Sequence, residues 1–174
     1  MDKEKKLPKR KHPRLGNYDY SSAGAYFVTI CTQNRRCVLS RIVGQGLAPA
    51  VETRTDYTLF GTSSERQLLS LENRYPSLVV DRYVIMPNHI HAILILIGET
   101  AGASPSPTVM DIICAYKSLT TRECKKNGFD GKLFQTSFYE HIIRSREDYE
   151  KIEKYIYENP YNWSEDELFT ENIP

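Results

Sequence analysis

The chain has 174 residues, of which 40% are hydrophobic and 26% charged, and its formal net charge at pH 7 is +1. These values are typical of one soluble globular domain that is long enough to bury a core. The near-zero net charge excludes an overall positive field that would attract nucleic acid. No run approaches the roughly 18 apolar residues of a membrane span, so we expect no membrane partner.

The charge is distributed unevenly between the two ends of the chain. Residues 1–18 form a basic arm, whose basic residues are Lys3, Lys5, Lys6, Lys9, Arg10, Lys11 and Arg14. Residues 164–174 form an acidic tail. A basic arm on a near-neutral domain can hold a phosphate backbone, and the alternative interpretation is a flexible, solubilising segment.

The sequence also predicts a cytoplasmic location. The arm lacks the apolar stretch of a secretory signal. The cysteines form no CxxC pair, and they are Cys31, Cys37, Cys114 and Cys124. We therefore expect reduced thiols and no structural zinc.

The first predicted elements are a strand, an insertion and a helix. Residues 25–35 are rich in aromatic and β-branched residues and predict a strand. Residues 38–61 mix glycine, proline and short apolar runs, so we expect a long loop or a small hairpin inserted in the domain. The pattern becomes helical from Thr62, with Ser63 or Ser64 as the cap.

The next two predicted strands, residues 77–86 and 89–97, are joined by Pro87-Asn88 and predict a hairpin. The second strand begins HIHAILILI and carries His89 and His91. Because successive side chains of a strand point to opposite faces, the two imidazoles share one face, about 7 Å apart. They indicate either a paired metal site on a rigid element or two structural histidines that hydrogen-bond to the backbone.

A linker, a helix and a strand follow the histidine strand. Residues 98–107 are rich in glycine, serine and proline, residues 109–124 predict an amphipathic helix, and residues 133–144 alternate as a last strand. The resulting order of elements is that of the split βαβ arrangement. We therefore expect a ferredoxin-like α+β fold with an antiparallel sheet, helices packed on it, and one further helix at the C-terminus.

That final helix opens at Ser145 with an S-x-x-D capping pattern and ends at Asn159, before Pro160. Tyr155 and Asn159 lie one turn apart on the same side of it. Here a tyrosine could act as a nucleophile and an amide oxygen as a metal ligand. A phenol with an ordinary pKa near 10 needs help to attack, and a neighbouring cation can provide it. The alternative is that Tyr155 packs as an ordinary core or surface residue.

Two segments together resemble one protein family. MPNHIHAI is similar to the histidine–hydrophobe–histidine motif of the HUH single-tyrosine transposases. FYEHIIRSREDYEKIEKYIYENP is similar to the tyrosine helix of their REP-associated branch, the RAYT proteins. The resemblance covers most of residues 15–163. It implies a catalytic domain over residues 19–163, in which residues 38–61 are an insertion relative to compact members.

The resemblance implies metal-dependent nicking and strand transfer of single-stranded DNA beside imperfect hairpins. His89, His91 and Asn159 would hold one Mg²⁺ or Mn²⁺ ion. Tyr155 would attack the phosphorus and leave a 5′-phosphotyrosine and a free 3′-OH, and the 3′-OH of another strand can reverse the step. The basic residues that we expect to contact DNA are Lys9, Arg10, Lys11, Arg14, Arg35, Arg36, Arg144 and Arg146.

Two other functions are compatible with the same residues. In a metal-dependent hydrolase, the histidines would carry the ion, water would be the nucleophile, and Tyr155 would only pack. In a hairpin-binding protein, the site would be present without its activity. The sequence leaves open whether the protein is a monomer or a homodimer.

Overall fold

The computed structural model describes residues 22–44, 53–98 and 107–171. The basic arm, with Lys9, Arg10, Lys11 and Arg14, lies outside the described residues. The strands are β1 (Gly24–Cys31), β2 (Ser40–Val43), β3 (Arg54–Tyr57), β4 (Leu78–Ile85), β5 (His89–Leu96) and β6 (Tyr139–Ile143). The helices are α1 (Leu59–Leu69), α2 (Leu71–Arg74), α3 (Val109–Lys126) and α4 (Arg146–Glu158).

Four strands form an antiparallel sheet in the order β4–β5–β1–β6. With α1 and α2 between β1 and β4, and α3 between β5 and β6, this is the ferredoxin-like order of a split βαβ unit. The predicted fold class is therefore confirmed. The predicted hairpin is also confirmed, since β4 and β5 pair from Ile85↔Ile90 outward across the Pro87-Asn88 turn.

The two faces of the sheet carry different helices, because side chains alternate along each strand. On one face, β1 and β5 pack with α1 and α3 in the larger core, through Tyr26, Val28, Ile30, Ile90, Ala92 and Leu94. On the other face, Phe27 and Ile93 pack against Ile156 of α4 and against Trp163. His89 and His91 have the same parity as Ile93, so both point toward the α4 face.

The segment predicted as a loop or a small hairpin contains a hairpin. Strands β2 and β3 pair antiparallel, from Ser40↔Tyr57 to Val43↔Arg54, and the residues between positions 44 and 53 lie outside the described part of the chain. The end of this segment is helical, however, because α1 already begins at Leu59.

The predicted cap of this helix was wrong. Thr58 caps α1, and its Oγ1 accepts hydrogen bonds from the backbone N–H groups of Phe60 (3.2 Å) and Gly61 (3.1 Å). Ser63 and Ser64, the predicted caps, are buried inside the helix. The same Thr58 hydroxyl donates to the carbonyl of Val38 at 2.6 Å, so the cap also fixes the chain before β2.

Gly61 should be intolerant of any side chain. A Cβ at this position would lie 2.0 Å from the carbonyl oxygen of Leu39, which is backbone and cannot move alone. We expect Gly61→Ala to lower the free energy of unfolding by about 3 kcal/mol, measured by urea denaturation. Gly98→Ala is the control, because among the described residues its Cβ would meet only Ala23 Cβ, at 3.6 Å. Equal stability of the two variants would contradict the close approach of α1 to Leu39.

The predicted last strand is too long. Only Tyr139–Ile143 pairs with β1, and Phe134 makes one isolated bridge to Thr32. Between them, the backbone carbonyls of residues 135–137 accept hydrogen bonds from the Lys117 ammonium group rather than from a neighbouring strand. The alternating sequence pattern was therefore misleading here, since Leu133 and Phe134 are both buried and Thr136 and Ser137 are both exposed.

The start of α4 agrees with its prediction. Ser145 is the cap, and its Oγ accepts from the backbone N–H of Asp148 at 3.1 Å. The helix buries Ile156 against the sheet, with Tyr149 and Ile152 packed beside it. All four cysteines are free thiols. None of the described helices is long and apolar enough to cross a bilayer.

Candidate active site

The two histidines lie side by side in the middle of the sheet. Strand β5 is hydrogen-bonded to β4 on one side and to β1 on the other, so its backbone is held along both edges. His89 is fully buried, His91 is 2% exposed, and their ring centroids are 4.4 Å apart. Phe27 of β1 stacks on His91 with a centroid distance of 5.2 Å. The sheet therefore presents two imidazoles as a rigid pair.

Neighbouring side chains fix the orientation of each ring. The Nδ1 atom of His89 lies 2.8 Å from Oδ1 of Asn88, whose own amide nitrogen donates to the carbonyl of Leu168 at 2.7 Å. Because that bond places the Asn88 oxygen toward His89, Nδ1 carries the proton and Nε2 keeps its lone pair. On His91, Nδ1 lies 2.9 Å from Oγ1 of Thr29, so Nε2 is the nitrogen that faces α4.

The structure brings the predicted tyrosine and asparagine to the same place. The hydroxyl of Tyr155 lies 3.3 Å from Nε2 of His91, and the tyrosine side chain is 44% exposed. Asn159, at the end of α4, is 3% exposed. Tyr157 is 71% exposed and packs on Tyr161, away from the histidines. The four predicted site residues, Tyr155, His89, His91 and Asn159, therefore form one cluster.

Asp166 completes this cluster, and the sequence analysis did not predict it. One of its oxygens accepts from the amide of Asn159 at 2.6 Å and lies 3.4 Å from the Tyr155 hydroxyl. The other oxygen accepts from the backbone N–H of Leu168 at 2.6 Å. Asp166 belongs to the predicted acidic tail, so this part of the tail forms one wall of the site.

Two buried polar atoms in the cluster have no hydrogen-bond partner among the described residues: Nε2 of His89 and Oδ1 of Asn159. An unsatisfied buried acceptor is costly, and in native proteins such an atom is usually paired with an ordered water or a bound ion. His89, His91 and Asp166 each offer one ligand atom, and these atoms all lie within 4.8 Å of one another. Imidazole nitrogens with carboxylate or amide oxygens suit a divalent cation, so the donor set fits a metal ion.

Burial controls the protonation of the histidines. It lowers the pKa of His89 to about 4, although the charge of Asp166 and the Asn159 amide act in the opposite direction. Burial also lowers the pKa of His91 well below its ordinary value, and the neighbouring His89 adds to that shift. Both rings are therefore neutral at pH 7 and have a lone pair available for a cation.

The tyrosine is held in its neutral form. Burial raises the pKa of Tyr155 to about 12, and the negative charge of Asp166 acts in the same direction. The cavity in front of the phenol has a volume of about 500 Å³ and is lined by Glu158, Glu165, Asp166 and Glu167 as well as by Asn159. A phenol in such a place needs a nearby positive charge before it becomes an effective nucleophile.

The predicted DNA-contacting arginines fall into two groups. Arg35 and Arg36 lie in the turn after β1, where Arg35 donates to the carbonyl of Glu167 at 3.3 Å, close to the site wall. Arg144 and Arg146 lie at the start of α4, and Arg146 is ion-paired with Glu150 on the surface. Because Arg146 precedes Tyr155 by nine residues, about 13 Å of helix separates them. The second group is therefore not part of the cluster.

Three further residues of the site, Thr29, Asn88 and Asp166, were not predicted from the sequence. Two of them had a signal: Asn88 directly precedes His89, and Thr29 is the register partner of His91 once β1 and β5 are paired. Asp166 had none, because it follows the helix end and lies in a run of acidic residues. Trp163 turns the chain back by packing on His89, with ring centroids 5.9 Å apart, and so brings Asp166 to the site.

Comparison with known proteins agrees with this architecture. No protein-family model matches the chain. A Haemophilus influenzae protein of uncharacterised function is 29% identical over 177 aligned residues, which cover 93% of this chain and 94% of that protein. The structure of a REP-associated tyrosine transposase bound to a REP hairpin superposes with a TM-score of 0.55 and 23% identity, covering 80% of this chain and 68% of that one.

A crystal structure of a proposed transposase from Deinococcus radiodurans superposes with a TM-score of 0.44 and 18% identity, covering 83% of this chain and 95% of that one. That likeness is too weak to carry an argument. The likeness to the REP-associated tyrosine transposase is stronger and shows that the two chains share a fold. The resemblance to this family that the sequence indicated is therefore confirmed at the level of the fold.

Proposed function

We propose that the protein is a metal-dependent, single-tyrosine DNA nickase and strand transferase of the REP-associated type. One observation carries the proposal: the Tyr155 hydroxyl lies 3.3 Å from His91 Nε2, beside buried ligand atoms of His89 and Asn159 that have no partner among the described residues. A nucleophile and a cation site at hydrogen-bond distance are what phosphoryl transfer to a tyrosine needs. The shared fold with a hairpin-bound transposase supports the same function.

His89, His91 and Asp166 would hold the ion, with the Asn159 oxygen as a further donor. When bound, a divalent cation supplies positive charge that polarises the scissile phosphate and offsets the charge developing on it. The acidic lining of the cavity is consistent with this role, since without a cation its carboxylates repel a phosphate. The carboxylate and amide oxygens suit Mg²⁺ and Mn²⁺, whereas the two imidazole nitrogens favour a transition-metal ion over Mg²⁺.

In the proposed reaction, the oxygen of Tyr155 forms a bond to phosphorus and the bond from phosphorus to the 3′ oxygen breaks. The products are a 5′-phosphotyrosine and a free 3′-OH, and the phenol proton is balanced by the proton that the 3′ oxygen gains. Because His91 Nε2 would be occupied by the ion, Asp166, with an oxygen 3.4 Å from the Tyr155 hydroxyl, is the acceptor within reach of the phenol proton. Because the phosphodiester energy is kept in the tyrosine link, a second 3′-OH can reverse the step.

A covalent adduct assay tests the proposal against its two alternatives. The full chain is incubated with Mn²⁺ and a labelled DNA hairpin that carries a single-stranded extension, and the products are separated on a denaturing gel. A protein–DNA adduct supports the proposal. Cleavage without an adduct favours a hydrolase that uses water, and binding in a native gel without cleavage favours a hairpin-binding protein. The same protein mixed with hairpin in EDTA should give no adduct.

Asp166 should contribute to cation affinity, because its carboxylate belongs to the ligand cluster with His89 and His91. We expect Asp166→Asn to weaken Mn²⁺ binding by about 10- to 100-fold, because a ligand charge is lost and Asn159 loses its orienting partner. Calorimetric titration with Mn²⁺ measures this. Glu165→Gln is the matched control, because it removes the same charge from the same cavity but belongs to no ligand cluster among the described residues. Equal losses in both variants would assign Asp166 only a general electrostatic role.

A further inference from the structure

An exposed tyrosine stands beside the candidate nucleophile, on the neighbouring edge strand. Tyr139 is the first residue of β6 and the register partner of Thr29, whose hydroxyl is hydrogen-bonded to His91. Because residues paired across an antiparallel sheet point to the same face, the Tyr139 side chain lies on the face that carries the histidines and α4. Tyr139 is 53% exposed, and no step of the proposed reaction uses it.

Phe27 places the two tyrosines close together. Its ring meets Tyr139 with a centroid distance of 6.4 Å and Tyr155 with a centroid distance of 6.1 Å, both edge to face. Tyr139 therefore stands next to the phenol of Tyr155, with one ring between them. None of the described residues stacks face to face on Tyr139 or hydrogen-bonds to its hydroxyl, so this ring is available to a ligand.

The side of α4 that faces β6 carries a positive charge one turn before the nucleophile. Asp148 pairs with His141 of β6 at 2.8 Å, which shows which side of the helix this is. Tyr155 follows Asp148 by seven residues, almost two full turns, and Lys151 precedes Tyr155 by four, so all three share this side. Lys151 is exposed. We call the surface between the helix and the strand the β6 side of the site, and its residues are Phe27, Tyr139, His141, Lys151 and Tyr155.

The β6 side suits a DNA strand better than the cavity at the end of α4 does. That cavity is lined by four carboxylates, those of Glu158, Glu165, Asp166 and Glu167. On the β6 side, the Asp148 carboxylate is paired with His141, and Lys151 is exposed. Arg144 and Glu147, also exposed near the start of the helix, are opposite in charge. A strand with a negative phosphate at every nucleotide is therefore repelled less along the β6 side.

An exposed aromatic ring beside a cation is the arrangement that binds unpaired nucleic acid. The bases of a single strand stack on the ring, and the cation contacts the backbone phosphate. Tyr139 offers the ring and Lys151 the cation, and neighbouring nucleotides of one strand can reach both while a phosphate lies at Tyr155. A duplex fits this surface poorly, because its bases are already stacked on one another.

We propose that Tyr139 stacks on a base of the unpaired DNA strand next to the scissile phosphate, and that Lys151 contacts a backbone phosphate beside that base. The proposal rests on the proposed function for its substrate. It adds two residues that hold the strand and thereby set which nucleotide lies at the phenol. Neither residue forms a bond to the reacting atoms.

Binding measured without chemistry tests the stacking contact. The full chain carrying Tyr155→Phe is titrated in EDTA with a fluorescein-labelled DNA hairpin that has an unpaired extension on each side, and fluorescence anisotropy is recorded. Tyr139→Leu removes the ring, and Tyr139→Phe keeps the ring without its hydroxyl. Tyr157→Leu is the matched control, because it removes an exposed tyrosine from another side of α4. Unchanged melting temperatures show that the variants are folded.

We expect Tyr139→Leu to weaken binding by about 5- to 150-fold, which corresponds to the loss of one base stack. Tyr139→Phe and the control should both bind within about twofold of the parent. An abasic nucleotide is then placed at each position of the extensions in turn. At the position that stacks on Tyr139, the abasic nucleotide should weaken binding of the parent but not of Tyr139→Leu, because the same contact has already been lost.

Several results would overturn the stacking contact. They are an unchanged affinity of Tyr139→Leu, an equal loss in Tyr139→Phe or in Tyr157→Leu, and abasic losses that add to the loss of Tyr139→Leu at every position. A parent protein that binds no unpaired DNA would also overturn it.

The salt dependence of the same titrations tests the phosphate contact. Lys151→Gln should reduce the salt slope of binding by about one, because one phosphate contact is lost. Lys154→Gln is the matched control, since Lys154 is an exposed lysine of the same helix that pairs with Glu158 at 3.7 Å. Equal slopes in the two variants would contradict the phosphate contact.

Failure of this inference can be told from failure of the proposed function. If the native Tyr155 protein gives no adduct but one abasic position is coupled to Tyr139, the β6 side binds unpaired DNA on a protein without the proposed activity. If the adduct forms and no position is coupled to Tyr139, the activity stands and the stacking proposal is wrong.

Discussion

Replacing Tyr155 with phenylalanine should abolish the protein–DNA adduct. The substitution removes only the oxygen that would become linked to phosphorus, and it leaves the ring to pack on Phe27, where the centroid distance is 6.1 Å. Without that oxygen no phosphotyrosine can form, so residual DNA cleavage should fall by at least about 1,000-fold. The measurement is adduct yield against time on a denaturing gel with Mn²⁺ and the extended hairpin. Hairpin affinity in EDTA should stay within about twofold of the parent.

Tyr157→Phe is the matched control for this prediction. Tyr157 lies on the same helix two residues away, but it is 71% exposed and packs on Tyr161. We expect its adduct yield to be unchanged. If Tyr157→Phe abolishes the adduct while Tyr155→Phe retains it, the nucleophile has been assigned to the wrong residue. An adduct that persists in both variants would show that neither Tyr155 nor Tyr157 is the required nucleophile.

The second large effect should come from the histidine pair. His89→Ala and His91→Ala each remove one neutral imidazole from a cluster with few other donors, so each should weaken Mn²⁺ binding by about 100-fold or more. Adduct formation should fall by a similar factor at Mn²⁺ concentrations that saturate the parent. Both quantities can be measured on the same preparations, by calorimetry and by the denaturing gel.

Two further variants separate loss of a ligand from loss of structure. His141→Gln removes a histidine that pairs with Asp148 at 2.8 Å, outside the cluster, and should leave Mn²⁺ affinity unchanged. Thr29→Val keeps both imidazoles but removes the partner of His91 Nδ1, and it should weaken Mn²⁺ binding by about tenfold. Full Mn²⁺ affinity in both alanine variants would show that the histidines are structural, which is the alternative that the sequence left open.

The sequence predicted those parts of the molecule whose contacts are local or periodic. The apolar run of HIHAILILI predicted a buried strand, and the alternation of side chains along a strand predicted the shared face of His89 and His91. The spacing of four residues placed Tyr155 and Asn159 on one side of a helix whose apolar face faces the sheet. The order of elements then determined the fold class, because few arrangements of four strands and their crossing helices pack all apolar faces.

The parts that the sequence did not predict depend on contacts between distant segments. Thr58 caps α1 while it also binds the chain before β2, and Gly61 fits because α1 lies against the Leu39 carbonyl. In the sequence, the glycine resembled a loop residue. Asp166 lies seven residues beyond Asn159, past the helix end, and its hydrogen bond to Asn159 depends on the return of the chain. A pattern confined to one element carries no information about such contacts.

The long sequence separation of the site contacts has a consequence for the order in which the molecule assembles. The β4–β5 hairpin closes over a two-residue turn, whereas Tyr155 meets His91 across 64 positions and Asn88 meets Leu168 across 80. Closing longer loops costs more chain entropy and depends on structure formed earlier. The β4–β5 hairpin that carries the histidines can therefore form before the nucleophile and its acidic neighbour arrive. A chain that ends just before Asp166 would keep Trp163 in the core beneath α4 but lack a finished site.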